Sequence, residues 1–399
     1  MSSLRILTLS QCVEIVSGST PKTSVDSFWD GDICWATPKD LSGLTTHYIS
    51  NTPRKITKVG LESCGATILP AQSVLFSSRA PIGHVAINTV PMATNQGFKS
   101  FVPKPGVIDA KFLFHWLRRN RAHLESLGNG ATFKEVSKAT VSRIEISLPP
   151  FPEQRRIAVI LDQAEALRAK RREALVQLDS LTQSIFIEMF GDPATNPKNW
   201  KIVPLGDVLD GLTDYHANGS YEVLRSHVEL LDTPDYALML RTTDLEKNNF
   251  STGVKYITES AYYFLKKSQV FGGEIVINKI GSAGNVYLAP FLNRPISLGM
   301  NSFLLRITKC ANSRFIFDVL TSDYIGGIIR SKVRGAVTKT ITKEAVRSVE
   351  IPLPPLEMQN EYVKRIKVVE EQKVIHHTSL AELNILFASL QHRAFRGEL

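Results

Sequence analysis

Apolar residues recur in this chain with two periods. Short runs come first. Val74-Leu75-Phe76 and Val85-Ala86-Ile87 lie either side of Pro81-Ile82-Gly83, which predicts two strands joined by a turn. Ile275-Val276-Ile277 and Val286-Tyr287-Leu288 flank Gly281-Ser282-Ala283-Gly284 in the same manner. Beyond each pair the period lengthens. Phe112, Leu113, Leu117 and Leu124 share one side of a predicted helix from Lys111 to Leu127, which Gly128-Asn129-Gly130 ends. Arg314 to Ile329 predicts its counterpart. Strands alternate with helices, so small α/β or α+β domains are expected.

Two stretches have steps of three and four instead. Ile157, Ile160, Ala164 and Leu167, then Ala174, Leu178, Leu181 and Ile185, form one stripe. Tyr362, Ile366 and Val369, then Leu380, Leu383, Leu386 and Leu390, form another. Both have the spacing of a coiled-coil seam. A helix from Glu153 to Phe190 would extend roughly 57 Å at 1.5 Å per residue, and it cannot bury such a stripe alone. The two stripes are therefore expected to pack on each other. The seam is polar at its middle, where Arg171, Lys373 and His376 fall. Such a layer either fixes register or forms a contact site for another subunit.

The stripes belong to an internal repeat. Ile146-Ser147-Leu148-Pro149-Pro150-Phe151-Pro152-Glu153-Gln154 returns 205 positions later as Ile351-Pro352-Leu353-Pro354-Pro355-Leu356-Glu357-Met358-Gln359, and Phe190 then aligns with Phe395. Gly130-Ala131 and Gly335-Ala336 keep the same spacing. The predicted fold class is α+β: two small mixed α/β domains joined by two long antiparallel coiled-coil helices, with pseudo-two-fold symmetry. The expected boundaries are 1–150 for the first domain, 151–192 for the first helix, 193–355 for the second domain and 356–399 for the second helix. Gly191-Asp192-Pro193 begins the linker between copies. Between these landmarks the loops differ almost completely, which points to two binding sites of different specificity.

Composition narrows this picture through charge. The net charge is +9 over 399 residues. Met1 to Pro150 holds 16 Lys and Arg against 10 Asp and Glu, and Lys198 to Pro355 holds 19 against 15, while the rest holds 12 against 13. Basic domains suit a polyanion, and balanced helices suit protein contacts. Cys12, Cys34, Cys64 and Cys310 form no Cys-x-x-Cys pair and have no His at zinc-finger spacing, so neither a disulfide framework nor a metal site is expected. No apolar run approaches the roughly 20 residues of a membrane span. A cytoplasmic protein with reduced thiols is expected.

Catalytic signatures are missing. There is no phosphate loop, and Gly281-Ser282-Ala283-Gly284 lacks dinucleotide-binding spacing. Leu148-Pro149-Pro150-Phe151 has the shape of the Asn-Pro-Pro-aromatic motif of amino-methyltransferases, but leucine cannot accept the hydrogen bond that the asparagine makes. No His pairs with a Ser or Cys and an acid. The chain is expected to catalyse nothing. Candidate DNA contacts are polar loop residues able to meet base edges or phosphates. In the first copy these are Thr37, Lys39, Ser77, Ser78, Arg79, Asn95, Gln96, Thr132 and Lys134. In the second they are Arg241, Thr242, Thr243, Asn278, Lys279, Asn301, Lys339 and Thr340. Each group follows an apolar run or a glycine turn, so exposed side chains are expected.

Taken in order, these features resemble the specificity subunit of a type I restriction–modification system. The resemblance spans the chain. It rests on Leu148-Pro149-Pro150-Phe151-Pro152-Glu153-Gln154 and its copy, on Phe190-Gly191-Asp192-Pro193, on Ala394-Phe395-Arg396-Gly397-Glu398-Leu399, and on Trp200 with Val203-Pro204-Leu205-Gly206-Asp207-Val208. Met358 stands where the first copy has Glu153, which puts the capping of the second helix in question. Membership would imply two target-recognition domains, each reading half of a split double-stranded DNA target, with the helices as a ruler. It would also imply two modification subunits docked on the helices, room for two restriction subunits, and a bacterial or archaeal cytoplasm. No cofactor is expected on this chain, because S-adenosylmethionine, ATP and Mg2+ would belong to those partners. The rivals are a self-sufficient DNA methyltransferase, which lacks its motifs here, and a coiled-coil adaptor that binds only protein.

Overall fold

The computed structural model describes residues 4–79, 81–130 and 134–399. It divides into two compact units, Met1–Ala174 with His376–Leu399, and Leu175–Ile375. No helix among the described residues is long and apolar enough to cross a membrane.

In the first unit a five-stranded sheet has the order Val13–Ser17, Lys99–Pro103, Val74–Phe76, Val85–Asn88, Tyr48–Ile49. A three-stranded sheet of Lys55–Ile56, Trp29–Ala36 and Ala93–Thr94 accompanies it. Arg5–Thr8 pairs antiparallel with Glu145–Leu148. The second unit repeats this plan. Leu209–Asp214, Ser302–Ile307, Ile275–Asn278 and Val286–Leu288 form one sheet. Lys255–Ile257, Ala237–Leu240, Ile296–Leu298 and Gln269–Val270 form the other, and Ile202–Pro204 pairs with Glu350–Pro352.

The expected helix from Lys111 to Leu127 is two helices, Ala110–Arg119 and Arg121–Ser126. The second copy divides likewise into Ser313–Thr321 and Asp323–Ser331. The residue at each break bonds its own side chain to the preceding turn: Asn120 Nδ2 donates to Trp116 O at 2.8 Å, and Ser322 Oγ donates to Val319 O at 2.7 Å. Such bonds compete with the helical ladder. Asp109 and Asn312 cap the leading helices at their N-termini.

The long helices run Phe151–Phe190 and Leu356–Ala394, of 40 and 39 residues. Each unit takes half of each. In the first unit Ile157, Leu161 and Ala164 join Phe387 and Ala394 in one core with Phe112, Leu113 and Leu117. In the second, Phe186 and Phe190 join Tyr362 and Ile366 on Phe315 and Val319. The segments run antiparallel within each unit. Arg168 Nε donates to Asn384 Oδ1 at 2.8 Å while Arg171 Nη1 lies 3.1 Å from His376 Nδ1, and Lys373 pairs with Asp179 at 2.9 Å. The polar seam residues therefore bond across helices. Leu167, Leu181 and Leu386 depart from the expected seam, being 52%, 45% and 49% exposed. Burial concentrates toward the helix ends, where a domain adds its own apolar surface; a lone helix pair can cover only part of a stripe.

The proline motif works through its glutamine. Gln154 is 1% exposed and Gln359 0%. Gln154 Oε1 accepts from Asp109 N at 2.9 Å, and its Nε2 donates to Val107 O and Pro149 O, each at 3.0 Å. Gln359 Oε1 accepts from Asn312 N at 2.9 Å, and Nε2 donates to Pro354 O at 2.8 Å. The same bond ties each long helix to the N-cap residue of its domain helix. Methionine before Gln359 does not disturb it.

A second tie is polar but not repeated in kind. In the first unit His115 Nε2 lies 2.8 Å from Asp162 Oδ1, Lys111 Nζ donates to Asp162 Oδ2 at 2.8 Å, and His47 Nδ1 lies 3.4 Å from Asp162 Oδ1. Burial works to raise the Asp162 carboxyl, but bonds from His115, His47 and Lys111 hold it far below the ordinary carboxylate range. In the second unit Arg314 and Tyr362 meet Asp318, at 3.0 and 2.9 Å. There burial prevails and the Asp318 carboxyl is raised.

Candidate nucleic-acid interface

Three backbone bonds bring the four predicted groups of each unit together. In the first, Ser78 N donates to Gly97 O at 2.8 Å, Val136 N to Ser78 O at 2.9 Å, and Asn95 N to Ala36 O at 3.0 Å. In the second, Lys279 N donates to Asn301 O at 2.7 Å, Ile341 N to Lys279 O at 3.1 Å, and Gly299 N to Leu240 O at 2.8 Å. One scaffold thus gathers residues scattered over about a hundred positions of sequence in each copy.

Within the cluster the expected exposure is corrected for several residues. Ser77 and Ser78 are 0% exposed, as is Asn278. Ser77 Oγ donates to Pro81 O at 2.7 Å and accepts from His84 N at 2.8 Å, which closes the turn after its strand. Ser78 Oγ donates to Gly97 O at 3.2 Å. Asn278 Nδ2 donates to Glu246 Oε1, and its Oδ1 accepts from Ser302 Oγ, both at 3.4 Å. Ser77 and Ser78 lie just beyond Val74–Phe76 and Asn278 ends its strand, and each turns its side chain into these bonds instead of toward solvent. They brace the loops and are not free to meet DNA.

Others are half-buried and engaged. Thr37 Oγ1 and N both donate to Asp40 Oδ2, at 2.8 and 2.7 Å, capping Pro38–Ser42. Arg241 holds the equivalent place. Its guanidinium donates to Asp244 at 3.0 and 2.7 Å and to Gly253 O at 2.6 Å. The hydrogen bonds to Asp244 raise its pKa further, so the charge is permanent but already matched. Lys279 Nζ lies 3.2 Å from Asp214 Oδ2, where Lys343 also sits at 3.4 Å from Oδ1. Arg79 pairs with Glu135 at 3.9 Å, and Asn95 Oδ1 accepts from Gly97 N at 2.9 Å. Thr340 N donates to Arg334 O at 2.8 Å.

The exposed members are Lys39, Gln96 and Lys134 in the first unit, and Thr243, Asn301 and Lys339 in the second. Gln96 accepts a hydrogen bond from Thr20 Oγ1. Thr132 lies outside the described residues. Thr242, Thr243 and Asn301 also line a cavity of about 400 Å³ in the second unit, walled by Tyr215, Met239 and Met300. Arg225, at its edge, is exposed and was missed, since it lies in a short helix, Tyr221–His227, that carries no turn signal. Among the described residues the arrangement offers hydrogen-bond donors and acceptors on rigid stems, and no nucleophile beside a base.

His47, His115 and Asp162 place three potential ligand atoms within 4.8 Å of one another. Their geometry is accounted for by hydrogen bonding. Lys111 occupies the other carboxylate oxygen, and the second unit fills the equivalent place with Arg314, Asp318 and Tyr362.

The comparisons with known proteins agree with one another. The model of the type I restriction modification DNA specificity domain matches residues 2–177 and again 197–384. The MjaIX type I restriction enzyme specificity subunit of Methanocaldococcus jannaschii is 35% identical over 213 residues, 49% of each chain, so that match spans about half of the relative's length. The EcoDI specificity subunit of Escherichia coli is 23% identical over 372 residues, covering 84% of this chain and 82% of the relative. The crystal structure of the S subunit from M. genitalium superposes with a TM-score of 0.60 at 13% identity, over 99% of this chain and 96% of that one. A chain from a structural study of type I complex assembly and conformational transition gives 0.56 at 20% identity, over 99% and 98%. Two matched copies cover most of the molecule, and the chain belongs to the family of type I restriction modification DNA specificity domains.

Proposed function

We propose that this chain is the non-catalytic specificity subunit of a type I restriction–modification complex, each unit reading one half of a bipartite, asymmetric duplex target. One observation carries the reading: two units share a scaffold down to individual backbone bonds, yet present different side chains on it. Lys39 and Gln96 on one scaffold correspond to Thr243 and Met300 on the other, so the units would read unlike sequences. The basic excess of both domains supports phosphate contact and affinity that falls with salt. The long helices would act as spacer and carry two modification subunits, with restriction subunits as a further partner. The methyl donor, ATP and Mg2+ would be bound by those partners. The test is selection from random-sequence duplex by the full chain with its modification partner, followed by sequencing. Two unlike short motifs at fixed spacing are expected, and a featureless pool would refute the reading.

A further inference from the structure

The repeat itself distinguishes two kinds of contact. From Gly130 to Gln154 and from Gly335 to Gln359 the copies align without a gap at a separation of 205. The residues flanking the start of this stretch are bonded alike in both units. Asn129 and Glu135 exchange two backbone bonds, Asn129 N to Glu135 O at 3.0 Å and Glu135 N to Asn129 O at 2.9 Å. Arg334 and Thr340 exchange the same pair, each at 2.8 Å. Both loops open on a glycine with positive φ, 129° at Gly130 and 107° at Gly335. A Cβ on Gly335 would lie 2.1 Å from Thr338 O, so this frame requires glycine. Both close on a lysine, Lys134 or Lys339. Each is exposed, and among the described residues neither meets an acidic group.

A residue that is the same in both copies cannot tell two half-sites apart. What it touches must be common to both ends, and on a duplex that is the phosphate backbone. We infer that Lys134 and Lys339 are paired, sequence-independent phosphate clamps, and that half-site choice rests on the positions that differ around them. The inference depends on the DNA-reading function proposed above. Nearby basic residues in the second unit reinforce it: Arg330 and Arg334 are exposed, and Lys332 donates to Ser348 Oγ at 3.1 Å. Of the other lysines nearby, Lys99 is committed to Glu135 and Lys279 to Asp214, while Lys39 is exposed but has Thr243 in its place in the second unit and so is not a shared contact.

The test uses the full chain with its modification partner and measures duplex affinity against salt for wild type, Lys134→Ala, Lys339→Ala and the double variant. Each lost phosphate contact lowers the slope of log affinity against log salt by about 0.9, or about 1.8 for the double variant. At 0.15 M salt each single variant binds roughly five-fold more weakly if the difference vanishes at 1 M. The selected motif stays the same, random duplex is weakened equally, and Lys→Arg restores the slope. An unchanged slope, a changed motif, or loss of the modification partner with the slope intact would each overturn the inference. Wild type without salt-dependent binding would instead refute the parent reading. Thermal unfolding of each variant separates these outcomes from misfolding.

Discussion

Replacing the junction glutamines by methionine keeps chain length and removes both polar groups. Gln154→Met leaves Asp109 N, Val107 O and Pro149 O without their partner, while Gln359→Met leaves Asn312 N and Pro354 O. An unpaired buried polar group costs about 1–3 kcal/mol. Val107, Asp109 and Asn312 are half-buried, so water can recover part of that, and the low end applies. The estimate is then about 3 kcal/mol for Gln154→Met and about 2 kcal/mol for Gln359→Met. The loss is local, because each glutamine ties one helix start to one domain. Hydrogen exchange is the suitable assay. At about 1.4 kcal/mol per tenfold, amides of Asp109 and the turn after it should open on the order of 150-fold more often in Gln154→Met. Those after Asn312 should open roughly 30-fold more often in Gln359→Met. Each variant leaves the other unit unchanged. Glu153→Met, which copies the second junction, should change exchange by less than a factor of about two, since its Arg156 partner is a surface ion pair. Equal, molecule-wide acceleration in both variants, or none in either, would refute this account of the proline motif.

Acid should loosen the first unit before the second. Burial keeps the His115 imidazole below its ordinary value of 6.5, so stability falls as pH drops below about 6.5; the lowered Asp162 carboxyl adds a further loss only below its ordinary value of 3.8. Asp318 is raised, so protonating it favours the folded second unit; exchange measured from pH 7.5 to 5 should show the order, and simultaneous opening would contradict it. Thr243→Ala and Asn301→Ala should relax only the motif read by the second unit, and Lys39→Ala and Gln96→Ala only the other, as sequencing of selected duplexes would show. A variant that alters both motifs would remove the case for separate readers. Deleting four residues between Leu167 and Leu178 should change half-site spacing or prevent assembly with the modification partner, and full activity at the original spacing would rule out the helices as spacer.

Periodicity and self-match made the long helices, the strands beside the glycine turns and the two-copy plan legible in sequence. A pattern of apolar residues encodes which side of an element is buried, and these elements each have one buried side. The finer parts were not legible, for local reasons. The break at Asn120 depends on one side chain turning back to Trp116 O, which composition does not distinguish from helical asparagine. Ser77, Ser78 and Asn278 looked like loop residues because they follow apolar runs, but their side chains are fully buried in hydrogen bonds to neighbouring segments. Arg241 looked like an available cation, and only its three-residue spacing to Asp244 hinted at an internal bond. Leu167 fits the seam by period yet is half exposed.

Comparison of the two junctions shows which constraints a duplicated scaffold must keep. The glutamine bond to the N-cap residue of the domain helix is the same in both, because the glutamine side chain meets only backbone groups, which do not change with the surrounding side chains. The neighbouring tie is free to change provided that it changes as a set. Where the first unit has His115 on the domain helix facing the Asp162 acceptor, the second has the Asp318 acceptor on the domain helix facing the Tyr362 hydroxyl donor. The cation beside it persists, as Lys111 and Arg314. Donor and acceptor have exchanged sides, and neither arrangement leaves a buried charge without a partner, which would cost several kcal/mol. The same logic orders the loops. Gly130 and Gly335, which hold the frame, and Lys134 and Lys339, which it presents, stay fixed, while Lys39 and Thr243, or Gln96 and Met300, diverge beside matching backbone bonds. Divergence confined to side chains on a kept frame is what two readers of unlike half-sites require.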